Sequence, residues 1–126
     1  MKSSIILVLL FVTSSLEATP RININQLNNI GGLWYYQKSQ TPFTGIAFSI
    51  SKNTGNIILE RKYIEGLYSG KYNEWWNTGE IKIKGTYRNG LMNGRWKFYY
   101  ENGKTLCTGS YENGNNGFLV NGIRGI

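Results

Sequence analysis

The stretch GRWKFYYENGKTLCTGSYENG, residues 94–114, follows the pattern of GKYNEWWNTGEIKIKGTYRNG, residues 70–90. A structural repeat keeps one fixed spacing at many positions, whereas chance similarity does not. The residues that recur at a spacing of 24 are Gly70 and Gly94, Trp76 and Tyr100, Gly79 and Gly103, Gly85 and Gly109, Tyr87 and Tyr111, and Gly90 and Gly114. The pattern therefore predicts an array of one small unit.

An earlier copy precedes these two, because Gly55, Tyr63 and Gly66 lie 24 residues before Gly79, Tyr87 and Gly90. One residue is inserted between Gly45 and Gly55 in this copy. A partial copy begins at Gly117, as expected of a terminal cap. The repeat region is thus predicted to span residues 42–126, with units at 43–66, 67–90 and 91–114 and a partial cap at 115–126.

Each unit contains two runs of aromatic and β-branched residues separated by a turn signal such as Asn77-Thr78-Gly79 or Glu101-Asn102-Gly103. This pattern is typical of a β-hairpin whose glycine takes the left-handed conformation. Asn89-Gly90 and Asn113-Gly114 mark reversals between hairpins. The predicted fold is all-β: tandem hairpins of period 24 that form one extended, twisted antiparallel meander sheet.

Alternation along the strands predicts which side chains share a face of the sheet. In the second strand of each unit, three residues are predicted to share one face. They are Ile57, Leu59 and Tyr63 in the first unit, Ile81, Ile83 and Tyr87 in the second, and Thr105, Cys107 and Tyr111 in the third. Lys82, Lys84 and Arg88 of the second unit are predicted to point to the opposite face. In the first strand of the third unit, Trp96, Phe98 and Tyr100 oppose Arg95, Lys97 and Tyr99. A one-residue change of turn register would exchange the faces, so the sequence leaves open which of these sets joins the tyrosines. Two sets of repeat positions are expected to be structural. The first is the aromatic set Tyr63, Tyr87, Tyr111 and Trp96, and the second is the glycine set Gly70, Gly79, Gly90, Gly94, Gly103 and Gly114.

The segment before the repeats has two predicted parts. Residues 1–18 contain Lys2, an apolar run from Ile5 to Val12 and a small-residue end at Ala18, which is typical of a secretory signal peptide. The run is too short to span a bilayer. We therefore expect a secreted or periplasmic protein. Residues 19–41 contain strand candidates at 22–26 and 33–38 and are predicted to cap the edge of the first unit.

The composition argues against an enzyme, because the chain has no histidine and, by inspection, no aspartate, and it has one cysteine. General acid–base catalysis and metal binding usually use clusters of His, Asp, Glu or Cys. Glu74 and Glu80 are one conceivable carboxylate pair, but Lys82 and Lys84 nearby favour ordinary cross-strand ion pairing instead. We expect no catalytic residue, no cofactor and no metal.

The pattern G-x-W-x-x-Y-Y-x-N-G, at Gly94, Trp96, Tyr99, Tyr100, Asn102 and Gly103, resembles the MORN repeat variant of bacterial proteins. The Y-x-N-G of residues 87–90 and 111–114 and the PFTG of residues 42–45 are similar to that family as well. The resemblance covers roughly residues 42–122. It implies the hairpin-repeat fold. Members are often labelled antitoxins of a toxin-antitoxin system (the YwqK family), and related repeats are linked to membrane lipids or to scaffolding, so an antitoxin-like or immunity-like role is one expectation.

Two binding functions follow from the residues themselves. Repeated aromatic side chains on a sheet favour a protein-interaction or scaffolding module. Removing Lys2 and Glu17 with the leader leaves 13 basic and 6 acidic side chains, which favours binding to anionic lipid or polysaccharide; no nucleic-acid motif is present. Four other aromatic residues of the repeats are Trp76, Trp96, Tyr72 and Tyr100, and we expect most of these four to pack between hairpins. The candidate interaction surface comprises Trp75, Tyr99, Lys82, Lys84, Arg95 and Lys97.

Overall fold

The structure, a computed structural model, describes residues 18–120 and 123–125, with side chains up to residue 115. The predicted leader, apart from its last residue, lies outside these ranges, as do residues 121, 122 and 126 of the predicted terminal cap. The strands are β1 (Arg21–Asn23), β2 (Leu27–Ile30), β3 (Leu33–Tyr36), β4 (Gly45–Ile50), β5 (Ile57–Ile64), β6 (Leu67–Trp75), β7 (Ile81–Arg88), β8 (Leu91–Tyr99), β9 (Thr105–Glu112), β10 (Asn115–Val120) and β11 (Ile123–Gly125), and a 3-10 turn spans Ile24–Gln26.

A nine-stranded sheet contains all strands except β2 and β3, in the order β1-β4-β5-β6-β7-β8-β9-β10-β11. From β4 onward every strand pairs antiparallel with the strand that follows it in the chain. The all-β meander predicted from the sequence is therefore confirmed. The predicted ladders also form, because β6 pairs with β7 and β8 pairs with β9.

Two kinds of turn join the strands, as the glycine pattern predicts. The long loops place Gly79 at φ 91° and Gly103 at φ 87°. The tight reversals have positive φ at both central residues, as at Asn89 (49°) and Gly90 (81°). Positive φ at both positions is the geometry of the hairpin turn whose twist matches that of the flanking strands, and Asn-Gly is its preferred sequence.

The hydrogen-bond register contains an extra residue near the loop end of each hairpin. Glu74 pairs with Ile83 and Trp75 with Ile81, so one additional residue, Lys82, lies on β7. The same irregularity occurs between β4 and β5 and between β8 and β9. A bulge of this kind interrupts the alternation of side chains between the two faces.

The interrupted alternation corrects part of the face assignment made from the sequence. Leu59 and Ile83 pack with the aromatic core, as expected, but Ile57 does not and instead lines a depression with Glu60, Asn73 and Trp75. Ile81 is the ladder partner of Trp75, and Trp75 lines the depression together with Ile57. Ile57 and Ile81 therefore lie on the same side of the sheet. The expectation that Ile57 and Ile81 share the tyrosine face is therefore wrong, because strict alternation was assumed through the bulge.

One face of the sheet, called here the aromatic face, carries the core. A first cluster consists of Leu27, Phe43, Ala47 and Tyr63, and a second of Tyr72, Trp96 and Tyr111 with Leu59, Ile83, Tyr87, Met92 and Phe98 against it. Trp96 is only 2% exposed and Tyr63 is fully buried. Phe98 and Trp96 thus join the tyrosines, which answers the register question left open by the sequence. Tyr111 is buried and Tyr87 is half-buried between the rings of Tyr68, Tyr72 and Trp96.

The segment before the repeats closes the first end of the sheet. β1 pairs in parallel with β4, and the side chain of Asn23 caps the 3-10 turn by accepting a hydrogen bond from the Asn25 backbone N–H. The separate β2–β3 hairpin then places Leu27 and Trp34 against Tyr63 on the aromatic face. Residues 22–26 were expected to form one strand, and the structure divides them between β1 and the 3-10 turn.

The loop glycines give the first testable prediction. Gly103→Val should lower the melting temperature more than Gly103→Asn, because asparagine adopts positive φ far more readily than a β-branched residue. The nearest atom to an added Cβ is 3.8 Å away, so the difference reports backbone strain rather than a clash. Thermal unfolding followed by circular dichroism measures it. Equal losses for the two variants would contradict the assigned turn.

Candidate interaction surface

The face of the sheet opposite the aromatic face is called here the basic face. It carries Lys71 on β6, Lys84 on β7, and Arg95 and Lys97 on β8; this set is called the cationic cluster. Lys84 lies directly opposite Lys97 in the β7–β8 ladder. Lys71, Lys84 and Arg95 line one shallow depression with Asn73, Gly85 and Thr86. The structure thus brings together three residues of the candidate surface, Lys84, Arg95 and Lys97.

A second depression of the basic face, with a volume of about 440 Å³, adjoins the long loops. Its lining includes the half-buried ring of Trp75, the exposed side chain of Ile57, and the polar residues Glu60 and Asn73. Gly79 of the β6–β7 loop closes one side. Trp75 therefore contributes an aromatic wall to this depression.

Tyr99 occupies the corresponding position on the neighbouring hairpin, opposite Thr105 at the end of β8. Alternation places it on the basic face with Arg95 and Lys97, and its ring is half-buried. Trp75 and Tyr99 thus lie at the loop end of the face that also carries the cationic cluster.

Lys82 does not belong to this surface. Its Nζ lies 3.8 Å from Oε2 of Glu74 and 4.6 Å from the ring centroid of Trp76. Glu74 also accepts a hydrogen bond from the hydroxyl of Tyr72, which is a core residue of the aromatic face. The expectation that Lys82 points the same way as Lys84 is therefore wrong, because Lys82 is the extra residue of the bulge. The ion pairing expected for Glu74 is confirmed.

The four aromatic residues expected mostly to pack between hairpins behave differently from one another. Tyr72 and Trp96 are buried in the core, and Trp76 is half-buried beside Lys82. Tyr100, in contrast, is 45% exposed. The expectation was for most of the four residues, and Tyr100 is the exception.

Two cationic residues of note were not singled out from the sequence. Lys71 belongs to the cationic cluster. Alternation could have placed it on this face, because it lies two residues before Asn73 on the same strand. Arg61 lies on the aromatic face, where its guanidinium is 4.6 Å from the ring centroid of Tyr68 and its Nε donates a hydrogen bond of 2.6 Å to the Tyr63 hydroxyl. Alternation also places Arg61 on this face, between Leu59 and Tyr63, but its contact with Tyr68 depends on which strands are neighbours.

Burial changes the acidity of the tyrosines on the aromatic face. It raises the pKa of Tyr63 to about 12, although the positive charge and hydrogen bond of Arg61 act in the opposite direction. Burial also raises the pKa of Tyr72, and the hydrogen bond to Glu74 adds to this effect. The pKa of Tyr87 is raised chiefly by burial as well. These hydroxyls stay protonated at neutral pH, so the aromatic face carries no tyrosinate charge.

Within residues 18–115 no three His, Cys, Asp or Glu side chains come together in a group that could hold a metal ion. The same part of the chain contains no helix with the length and apolar character that crossing a membrane requires. Comparison of the chain with protein-family models, curated proteins and solved structures finds no match. The MORN resemblance therefore stays a prediction.

Proposed function

We propose that this chain is a non-enzymatic binding module that captures a protein partner outside the cytoplasm, in an interaction or scaffolding role. The observation that carries the proposal is the depression beside Trp75 on the basic face. The sheet builds its core on the aromatic face, so this tryptophan and Ile57 are not needed to complete either core cluster. A half-buried tryptophan at the wall of a concave site is the kind of residue that dominates binding energy in protein interfaces.

The surroundings of the depression support a protein ligand. It combines apolar surface from Trp75 and Ile57 with the carboxylate of Glu60 and the amide of Asn73, which can accept and donate hydrogen bonds. Protein interfaces have this composition, with an aromatic centre and a polar rim. Tyr99 on the next hairpin extends the same end of the face. A toxin that acts outside the cytoplasm is one partner of this class.

The test is capture of a protein from an envelope or secretion extract by the immobilised mature chain. Trp75→Ala combined with Tyr99→Ala should reduce capture at least 10-fold, since a hot-spot residue contributes on the order of 2 kcal/mol or more. Mass spectrometry of the retained protein would identify the partner. The melting temperature of the double variant should change little, because neither ring belongs to a core cluster.

Tyr100→Ala is the matched control, since it removes an exposed ring next to Tyr99 without altering the depression. It should leave capture unchanged. The proposal fails if the wild-type chain retains no protein, or if the double variant captures as well as the wild type.

A further inference from the structure

The cationic cluster is a group of like charges held in register by backbone pairing. Lys84 and Lys97 are direct partners in the β7–β8 ladder. Arg95 lies two residues from Lys97 on the same strand, at a rise of about 3.4 Å per residue. Lys71, Lys84 and Arg95 meet around one depression. The positions of all four side chains are thus fixed by three adjacent strands.

Within residues 18–115 no carboxylate oxygen lies at ion-pair distance from these cations, and Glu60, which lines a neighbouring depression with Lys71, pairs with Arg21 instead. The ion pairs in that part of the chain join Arg21 to Glu60 and Lys82 to Glu74, and neither includes a member of the cluster. Like charges directly opposite each other destabilise a sheet. The pairing of Lys84 with Lys97 is therefore unfavourable for folding, and a bound anion would offset the repulsion.

Neutral hydroxyl and amide side chains alternate with these cations. In the β6–β7 ladder, Lys71 lies opposite Thr86 and Lys84 lies opposite Asn73. In the β8–β9 ladder, Arg95 lies opposite Ser110 and Lys97 lies opposite Thr108. Every cation thus has a neighbour that can both donate and accept hydrogen bonds. The depression itself has no apolar side chain in its lining beyond the aliphatic stems of its cations. Inside this depression a lipid bilayer would find no apolar or aromatic anchor, because Trp75 and Tyr99 lie at the loop end of the face, outside its lining.

We propose that the cationic cluster is a binding site for an acidic polysaccharide. The cations contact carboxylate or sulfate groups that recur along the polymer, and Asn73, Thr86, Thr108 and Ser110 exchange hydrogen bonds with the sugar hydroxyls between them. A repeating anion can place a separate negative charge beside each of several cations, whereas a single carboxylate brings only one charge. This site goes beyond the proposed capture of a protein at Trp75, and it does not depend on that function.

The experiment measures binding of mature protein to polygalacturonate and to dextran sulfate, with neutral dextran as the blank. Lys84→Thr combined with Lys97→Thr should weaken binding to the acidic polymers at least 10-fold. Binding of the wild type should fall as salt is raised, because the contacts are electrostatic. The melting temperature of the variant should stay the same or rise, since the substitutions remove a like-charge pair and threonine suits a strand.

Lys52→Thr combined with Lys104→Thr is the matched control. It makes the same change of net charge at exposed loop positions away from the cluster. It should leave most of the binding intact. An equal loss in both double variants would show attraction by net charge alone and would overturn the proposal.

Three other outcomes would also overturn it. The first is failure of the wild type to bind either acidic polymer. The second is tighter binding to polyglutamate, single-stranded DNA or phosphatidylglycerol vesicles than to the polysaccharides, which would assign the cluster to another class of ligand. The third is a melting temperature lowered by several degrees in Lys84→Thr with Lys97→Thr, which would give the lysines a structural role.

Trp75→Ala with Tyr99→Ala should retain polysaccharide binding, so failure of the protein-capture function would be seen separately.

Discussion

Trp96→Ala should lower the free energy of unfolding by about 3–5 kcal/mol, the range for removing a large aromatic side chain from a core. Trp96 is 2% exposed and contacts the rings of Tyr72, Tyr87, Phe98 and Tyr111. Its indole N–H donates a hydrogen bond of 3.0 Å to the backbone carbonyl of Thr86. The side chain therefore joins strands β6, β7, β8 and β9, and its loss leaves a cavity and removes this hydrogen bond.

Urea unfolding of the mature chain measures this loss. Gly85→Ala provides an independent check, because a Cβ at Gly85 would lie 2.1 Å from Cδ2 of Trp96 and would displace the indole. Both variants should be severely destabilised, whereas Tyr100→Ala, at an exposed ring, should change the free energy by less than about 0.5 kcal/mol. A Trp96→Ala protein that unfolds at the wild-type urea concentration would contradict the placement of the core on this face.

The second large effect is loss of stability at alkaline pH. Burial raises the pKa of Tyr63 from 10.0 to about 12. The unfolded chain releases the Tyr63 hydroxyl proton near pH 10, whereas the folded chain keeps it until about pH 12. The stability that comes from this difference is therefore fully present below pH 10 and is lost as the pH rises from 10 to about 12. A difference of two pKa units corresponds to about 3 kcal/mol for this residue. The raised pKa values of Tyr72 and Tyr87 act in the same direction.

Unfolding free energies measured by urea at several pH values between 9 and 12 test this expectation. Tyr63→Phe should flatten the decline with pH by up to about 1.4 kcal/mol per pH unit, because it removes one of the responsible hydroxyls. It should also reduce stability at neutral pH, since it removes the hydrogen bond from Arg61. Tyr100→Phe is the control for removing a hydroxyl from an exposed ring. An identical slope in wild type and Tyr63→Phe would refute the assignment.

The strands and turns of this protein could be predicted because their causes are local. Asn-Gly at residues 89–90 specifies a tight reversal, and apolar alternation in residues 81–88 specifies a half-buried strand. The position of Lys82 could not be predicted in the same way. Whether a strand accepts one extra residue depends on how its neighbour pairs with it, and no residue type marks the place.

The candidate surface was predictable to a similar extent. Alternation alone placed Arg95 and Lys97 on one face of their strand and Lys84 opposite the tyrosines of its own strand. That these faces coincide, and that Lys84 pairs directly with Lys97, depended on the register between two strands. The parallel pairing of β1 with β4 was missed for a comparable reason, because it joins Arg21 to Ile46 across the whole capping segment. Contacts between distant parts of a chain leave no periodic signal in either part.

The order of strands in the sheet has a consequence for how the chain folds. From β4 to β11 each strand finds its partner in the next segment of chain, so each step closes only a short loop at a small entropic cost. Contacts at short sequence separation favour rapid folding, and hairpins can then add to a growing sheet from either side. The pairing of β1 with β4 closes a longer segment, around the β2–β3 hairpin, and that hairpin must itself dock against Tyr63 and Gly66. This protein should therefore fold faster than most β-sheet proteins of its size, with docking of its first strand as the late event.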